Sequence, residues 1–340
     1  MKVLFIGGTG NISTASSRLA VERGMELFLL NRGTRRVGIP GARTIKADIN
    51  KEAAVAQALA RHTWDAVVNW IAFTPADIAR DLRLFQNKTR QYIFISSASV
   101  YQKPLAHPVV TESTPLANPY WEYARQKIAA EDCLHRACRE NGFPGVIVRP
   151  SLTYDTVIPL ALGSWADYTM IDRMKRGKPV VVHGDGASLW TITHAQDFAK
   201  GLVGLLGNDQ ARGHAFHITS DELLTWDQIW QQTAAAAGVE PRIVHVPTDL
   251  IVRVVPDRRG SLLGDKAVSV IFDNSKIKRF VPGYTASIPY REGIRRTVAW
   301  FEARKSRMRI VAAHNEMHDR ILEAYGAAGG AFAGTRLTRA

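Results

Sequence analysis

Tyr123 and Lys127 stand four residues apart in a stretch with helical periodicity, so both project from one helix face about a turn apart. An ammonium beside a phenol favours the phenolate, which makes the tyrosine usable as a proton relay near neutral pH. Ser97, just past the apolar run 91–96, adds a hydroxyl able to fix the oxygen whose charge changes during hydride transfer. A second set of residues opens the chain. Gly7, Gly8 and Gly10 follow the apolar run 2–6, where backbone lacking Cβ atoms lets N–H groups approach a pyrophosphate and the next helix offers its positive end. A Tyr-x-x-x-Lys spacing alone is common by chance. Behind a serine strand and a glycine turn, in this order, it points to redox chemistry on a hydroxyl or carbonyl with a nicotinamide dinucleotide.

Such residues need a parallel sheet to hold them. A strand at 2–6, the glycine turn and a helix at 12–22 come first. Strands at 26–30, 43–47, 65–70, 91–96 and 145–148 follow, with helices at 53–61, 78–86 and 121–140 between them. This alternation predicts βαβ units and an α/β, doubly wound parallel-sheet Rossmann fold. After Arg149-Pro150 the rhythm loosens, with helices near 168–175, 195–206, 226–237 and 290–307 and strands at 179–183, 214–218 and 242–246. The expected division is a dinucleotide-binding domain of 1–150 with parts of 191–220, an interleaved smaller substrate-binding lobe of 151–190 and 220–305, and a C-terminal helix and tail of 306–340.

The second strand ends in Asn31-Arg32-Gly33, where NAD-selective dehydrogenases carry an acid for the ribose hydroxyls, and Arg35 and Arg36 follow closely. Missing carboxylate and nearby guanidiniums favour a 2′-phosphate, so NADP is slightly preferred over NAD. Ser13 takes the place of the third motif glycine, small enough to be tolerated. Asp48 and Ile49, after the third strand, fall beside the adenine on position alone.

The segments Gly7-Gly8-Thr9-Gly10-Asn11-Ile12, Ser96-Ser97-Ala98-Ser99-Val100-Tyr101, Asn118-Pro119-Tyr120, Tyr123-Ala124-Arg125-Gln126-Lys127, Arg149-Pro150-Ser151 and Gly184-Asp185-Gly186 occur in one order over about 300 residues. In them the chain resembles the extended short-chain dehydrogenase/reductase superfamily, specifically the NAD-dependent epimerase/dehydratase family. The resemblance implies Ser97, Tyr123 and Lys127 as the catalytic set, with Lys127 also holding the nicotinamide ribose; Ser96 and Ser99 remain alternatives for the serine. It also implies that Thr9, Asn11 and Ile12 join Gly7 and Gly10 at the cofactor. Departures matter. Where nucleotide-sugar members carry an arginine for the substrate pyrophosphate, this chain has Trp190, which offers stacking and one N–H but no charge. That disfavours a nucleotide sugar and favours a small neutral substrate such as a free sugar, a glycoside or an aromatic alcohol. Ser99 stands where a dehydratase would carry a carboxylate, which favours simple redox or epimerisation over dehydration. Gln102 and Asn31 also depart from the pattern, in the manner of atypical members that include chloroplast RNA-binding relatives.

The net charge of +13 suits a polyanionic partner, but the excess is spread along the chain without an aromatic RNA-module signature. The expected partner is therefore a small-molecule substrate, with neither nucleic acid nor membrane. Relatives often dimerise, so a homodimer is compatible with the chain. An apolar run of only Val3 to Ile6 is too short for a signal peptide, which makes a cytoplasmic enzyme the simplest expectation. Cys133 and Cys138, five apart on a helix, face different ways and read as incidental thiols. His314 and His318 have metal-compatible spacing but no evident third ligand, so no metal site is expected. His183 and His194 read as structural. The reading is an NAD(P)-dependent oxidoreductase or epimerase; its rivals are a dinucleotide-binding RNA-binding protein and a non-catalytic redox sensor.

Overall fold

The computed structural model describes residues 1–34, 37–163 and 165–329. Its centre is a seven-stranded parallel sheet of β1 (Lys2–Ile6), β2 (Glu26–Asn31), β3 (Arg43–Lys46), β4 (Ala66–Asn69), β5 (Tyr92–Ile95), β6 (Gly145–Pro150) and β7 (Ala215–Ile218). The strands lie in the order β7-β6-β5-β4-β1-β2-β3. Winding therefore reverses between β1 and β4, whose carboxyl ends frame the crevice where such sheets take their ligands.

The strands are apolar on both faces because helices cover both. Val3, Phe5, Leu29, Val68 and Ile93 pack with Phe198 and Leu202 on one side. Leu4, Ile6, Leu30, Val67 and Phe94 pack with Ile78, Leu84 and Leu134 on the other. Each such buried side chain contributes about 1.5–3 kcal/mol, so the sheet is a rigid platform for the loops at its carboxyl edge. Helices α1 (Ser13–Glu22) and α5 (Ala195–Leu205) pack together on the first face, and α3 (Pro75–Phe85) and α4 (Glu122–Asn141) on the second, with α2 (Glu52–Ala58) preceding α3 in the chain.

The helix α4 buries Ala124, Lys127, Ala130, Glu131, Leu134 and Ala137, a stripe at three- and four-residue spacing that places a lysine and a glutamate among apolar groups. It ends at Gly142, whose φ of +62° suits a left-handed cap. Helix α3 starts at Pro75, three residues before the apolar pattern begins at Ile78, because Thr74 and Asp77 form a reciprocal capping box and Pro75 fills the first turn.

Two compact units emerge. The first comprises Met1–Asp155, Thr191–Glu222 and Val270–Pro289; the second comprises Thr156–Trp190, Leu223–Ser269 and the chain from Tyr290. The stretch Val270–Pro289, expected in the substrate lobe, thus joins the sheet-bearing unit. Ile271–Phe272 pairs there with Val109–Val110, and Asn274 donates to the Thr219 carbonyl at 3.1 Å. Within the second unit Val180–His183 pairs with Ile243–Val246 and Leu189–Trp190 with Leu224–Thr225. The helix Ala312–Ala327 also belongs to this unit. Among the described residues both cysteines are free, and no helix is long and apolar enough to cross a membrane.

Candidate active site

The turn after β1 is built from backbone that only glycine adopts readily. Gly7 has φ of +99° and Gly8 of +90°, and a Cβ on Gly8 would lie 2.7 Å from the Leu29 side chain. Ser17 donates to the Gly8 carbonyl at 2.7 Å, and Ser13, buried at the expected position of the third glycine, accepts from the Gly10 N–H at 2.8 Å. The serine substitution thus closes the turn instead of loosening it. No side chain caps α1, whose amino end follows this cradle. Glycine here lets the turn pack tightly against Leu29, Ser17 and Trp70, and the uncapped amino end of α1 beside it suits an anion, so the residues present fit a dinucleotide pyrophosphate. Thr9 and Ile12 lie in the same turn, half-buried. Asn11 donates to the Thr153 carbonyl at 2.9 Å while its Oδ1 is buried with no hydrogen-bond partner, an acceptor held ready for a donor.

At the ends of β2 and β3, Asn31 spends its Oδ1 on the Gly33 N–H at 2.9 Å. Arg32 is exposed, and the Lys46 side chain, register partner of Asn31, runs 3.6 Å from where a Cβ on Gly33 would be. Lys46 escapes a linear reading of the sequence, because it joins the second-strand turn only through strand pairing. Arg35 and Arg36 lie outside the described residues. Asp48 accepts from the Asn50 N–H at 3.1 Å, while the Ile49 side chain is buried in the core of the second sheet face.

Ser97, two residues past β5, caps a single helical turn, accepting from the Ser99 N–H at 3.2 Å with its Oγ 2.9 Å from that of Ser99. Ser96 and Ser99 are both 3 % exposed, which leaves Ser97 as the half-buried hydroxyl of the three. Asn118 ties this serine turn to α4: it donates to the Ser99 carbonyl at 2.9 Å and accepts the N–H groups of Tyr120 and Trp121. Tyr123, half-buried, packs against Trp121 and Phe73, with ring centroids 4.9 and 6.1 Å away. Lys127 lies 5.9 Å from the centre of the Tyr123 ring and donates to the carbonyls of Ala72 at 2.6 Å and Ile95 at 2.8 Å. Burial pulls its ammonium down to about 7, against the opposing pull of Glu131 and Asp77.

In the second unit Trp190 is buried, its ring 5.9 Å from that of Trp226, and its Nε1 has no hydrogen-bond partner. Lys266 Nζ lies 6.0 Å from the same ring. His183 hydrogen-bonds the Lys266 carbonyl at 3.0 Å, and burial holds it down at about 4. His194 accepts from the Gln196 N–H at the start of α5, and His318 accepts from the Val181 N–H at 3.0 Å. These histidines hold backbone in place.

Sheet winding, glycine cradle and helix-borne tyrosine and lysine place the molecule among dinucleotide-binding α/β enzymes. The profile of the NAD dependent epimerase/dehydratase family matches residues 3–219, and the chain belongs to that family. It is an NAD-dependent enzyme. Among curated relatives, 2'-dehydrokanamycin reductase of Streptomyces kanamyceticus is 27% identical over 285 residues, covering 84% of this chain and 80% of that one. The chloroplast stem-loop binding protein of 41 kDa b of Arabidopsis thaliana is 27% identical over 72% of this chain and 65% of its own length. In fold, a dTDP-glucose 4,6-dehydratase of Streptomyces venezuelae solved with NAD superposes with a TM-score of 0.72 at 20% identity, over 90% of this chain and 98% of that one.

Proposed function

We propose that the enzyme reduces a carbonyl group, or reversibly oxidises a hydroxyl group, of a small sugar-like substrate that is not a nucleotide sugar, with NADP(H) slightly preferred over NAD(H). The observation that carries this reading is the helix face shared by Tyr123 and the buried Lys127, with the serine turn latched to the same helix by Asn118. The bound nicotinamide supplies or takes the hydride at the reacting carbon. In the reducing direction Tyr123 gives its phenolic proton to the substrate oxygen as the carbonyl becomes an alcohol. Ser97 donates a hydrogen bond to that oxygen, and the Lys127 ammonium stabilises the phenolate left behind. Lys127 also binds the nicotinamide ribose. Gly7, Thr9, Gly10 and Ile12 seat the pyrophosphate, Asn11 offers its acceptor oxygen to a hydroxyl of the cofactor, and Asp48 and Ile49 lie towards the adenine.

Arg32 and Lys46 favour a 2′-phosphate, since both stand beside the end of β2, where Asn31 takes the place of a carboxylate. Trp190 supports an uncharged substrate, because its unpartnered indole N–H can donate to a hydroxyl or ether oxygen but cannot neutralise a pyrophosphate. The relative named 2'-dehydrokanamycin reductase supports a reductase reading on a small substrate. The test is a side-by-side titration with NADPH and NADH followed by a turnover screen on keto-sugars and glycosides. Tighter NADPH binding with turnover is expected; tight, copurifying NADH would instead indicate an epimerase that recycles its hydride.

A second reading, RNA binding, draws on the net charge of +13 and the similarity to the chloroplast stem-loop binding protein. Steeply salt-dependent RNA binding unaffected by Tyr123→Phe would favour it.

A further inference from the structure

The loop after β4 has no strand or helix to satisfy its backbone, yet four consecutive N–H groups in it are taken by side chains. Asn69 Oδ1 accepts from Ile71 at 2.8 Å and Ala72 at 3.0 Å. Asp77 Oδ2 accepts from Phe73 at 2.9 Å and Thr74 at 3.0 Å. This loop carries both features that meet the lysine: the Ala72 carbonyl, 2.6 Å from Lys127 Nζ, and the Phe73 ring, 4.4 Å from it.

Both anchors converge on one cation. Arg80, 7 % exposed on α3, sends Nη1 to Asp77 at 3.0 Å and Nε and Nη2 to Asp81 at 3.0 and 2.9 Å. Asp81 in turn accepts from the Asn69 side-chain amide and from the Tyr92 hydroxyl. Arg80 Nη1 also reaches Asn50 Oδ1 at 3.1 Å, in the turn after β3 that holds Asp48 and Ile49.

We propose that Arg80 is a positioning residue: its guanidinium fork fixes the loop 71–74 that receives Lys127 and, through Asn50, the turn beside the adenine end of the cofactor site. A planar fork with five donors can serve three partners in fixed directions, which a lysine cannot. The charges facing Lys127 are Glu131, on its own helix and paired with Arg149, and Asp77, paired with Arg80. From the loop and β5 it meets the carbonyls of Ala72 and Ile95 and the rings of Phe73 and Phe94, with Tyr123 on its own helix. Removing Arg80 unmasks the Asp77 carboxylate and lets water reach the lysine, and both effects raise the pKa of Lys127.

The proposal rests on Lys127 serving the cofactor, and the test separates the two claims. Competitive acetic anhydride labelling of the cofactor-free protein, read by mass spectrometry across pH, gives the pKa of Lys127; NADPH titration gives affinity. In Arg80→Met the pKa should rise by about one unit or more, with about tenfold weaker NADPH binding at a temperature well below unfolding. Arg80→Lys, the gentler change should the first variant fail to fold, should move both readouts the same way by less. A lowered melting temperature with unchanged lysine pKa would overturn the proposal, since a purely structural arginine does exactly that much. A raised pKa with unchanged NADPH affinity would uphold the positioning and count against Lys127 as a cofactor ligand.

Discussion

Lys127 reaches from the buried stripe of α4 to the carbonyl oxygen of Ala72, which its Nζ meets at 2.6 Å. An ammonium among apolar helix positions destabilises the fold. The proton relay proposed for Tyr123 gives a reason to keep such a charge beside its ring.

The cost is measurable through pH. Burial lowers Lys127 from its ordinary value of 10.5 to about 7. Between those values the unfolded chain binds more protons than the folded one, so this group's penalty is fully present below pH 7 and fades as pH rises. Relative to Lys127→Met, the native protein should therefore gain up to about 1.4 kcal/mol of stability per pH unit between pH 7 and 10. Urea unfolding of both proteins across that range checks it; a pH-independent difference would place the lysine in water.

Gly8→Ala introduces a Cβ 2.7 Å from the Leu29 side chain at a φ of +90°. A loss of about 1–3 kcal/mol in unfolding free energy is expected, together with weaker dinucleotide binding as the turn shifts. Gly24→Ala makes the control: its φ is also positive, at +74°, but nothing lies within 4 Å. It should cost stability from backbone strain while leaving affinity intact, and equal affinity losses in both variants would contradict the cradle.

Charge reversal at Arg32 and Lys46 should exchange the cofactor preference. In Arg32→Glu with Lys46→Glu, NADPH affinity should drop at least about tenfold while NADH affinity holds or improves, because the 2′-phosphate alone meets the new carboxylates. Parallel fluorescence titrations would show this. Equal changes for the two cofactors would remove both residues from the 2′-phosphate site.

Much of this was legible in the sequence because the relevant signals are local. The run 2–6 ending in Gly7-Gly8, and the four-residue step from Tyr123 to Lys127, need only chain neighbours to be understood. What stayed hidden depends on pairing across the sheet and on buried polar chemistry. Lys46 joins the Gly33 turn through strand register, and Arg80 reads as a surface cation of an amphipathic helix until Asp77, Asp81 and Asn50 close around it. The stretch Val270–Pro289 could not be assigned to the sheet-bearing unit from its own pattern, since a two-residue strand and a six-residue helix carry almost no periodicity.

The central claim, proton relay by Tyr123 in a hydride-transfer enzyme, is tested most directly by deuteride transfer. Native protein and Tyr123→Phe would each be incubated with C4-deuterated NADPH and a panel of keto-sugars, and products examined for deuterium at the reduced carbon by mass spectrometry. Both proteins should bind NADPH with similar affinity, and only the native enzyme should deliver deuterium, with loss of at least about a hundredfold in the variant. Equal transfer by Tyr123→Phe would contradict the assignment.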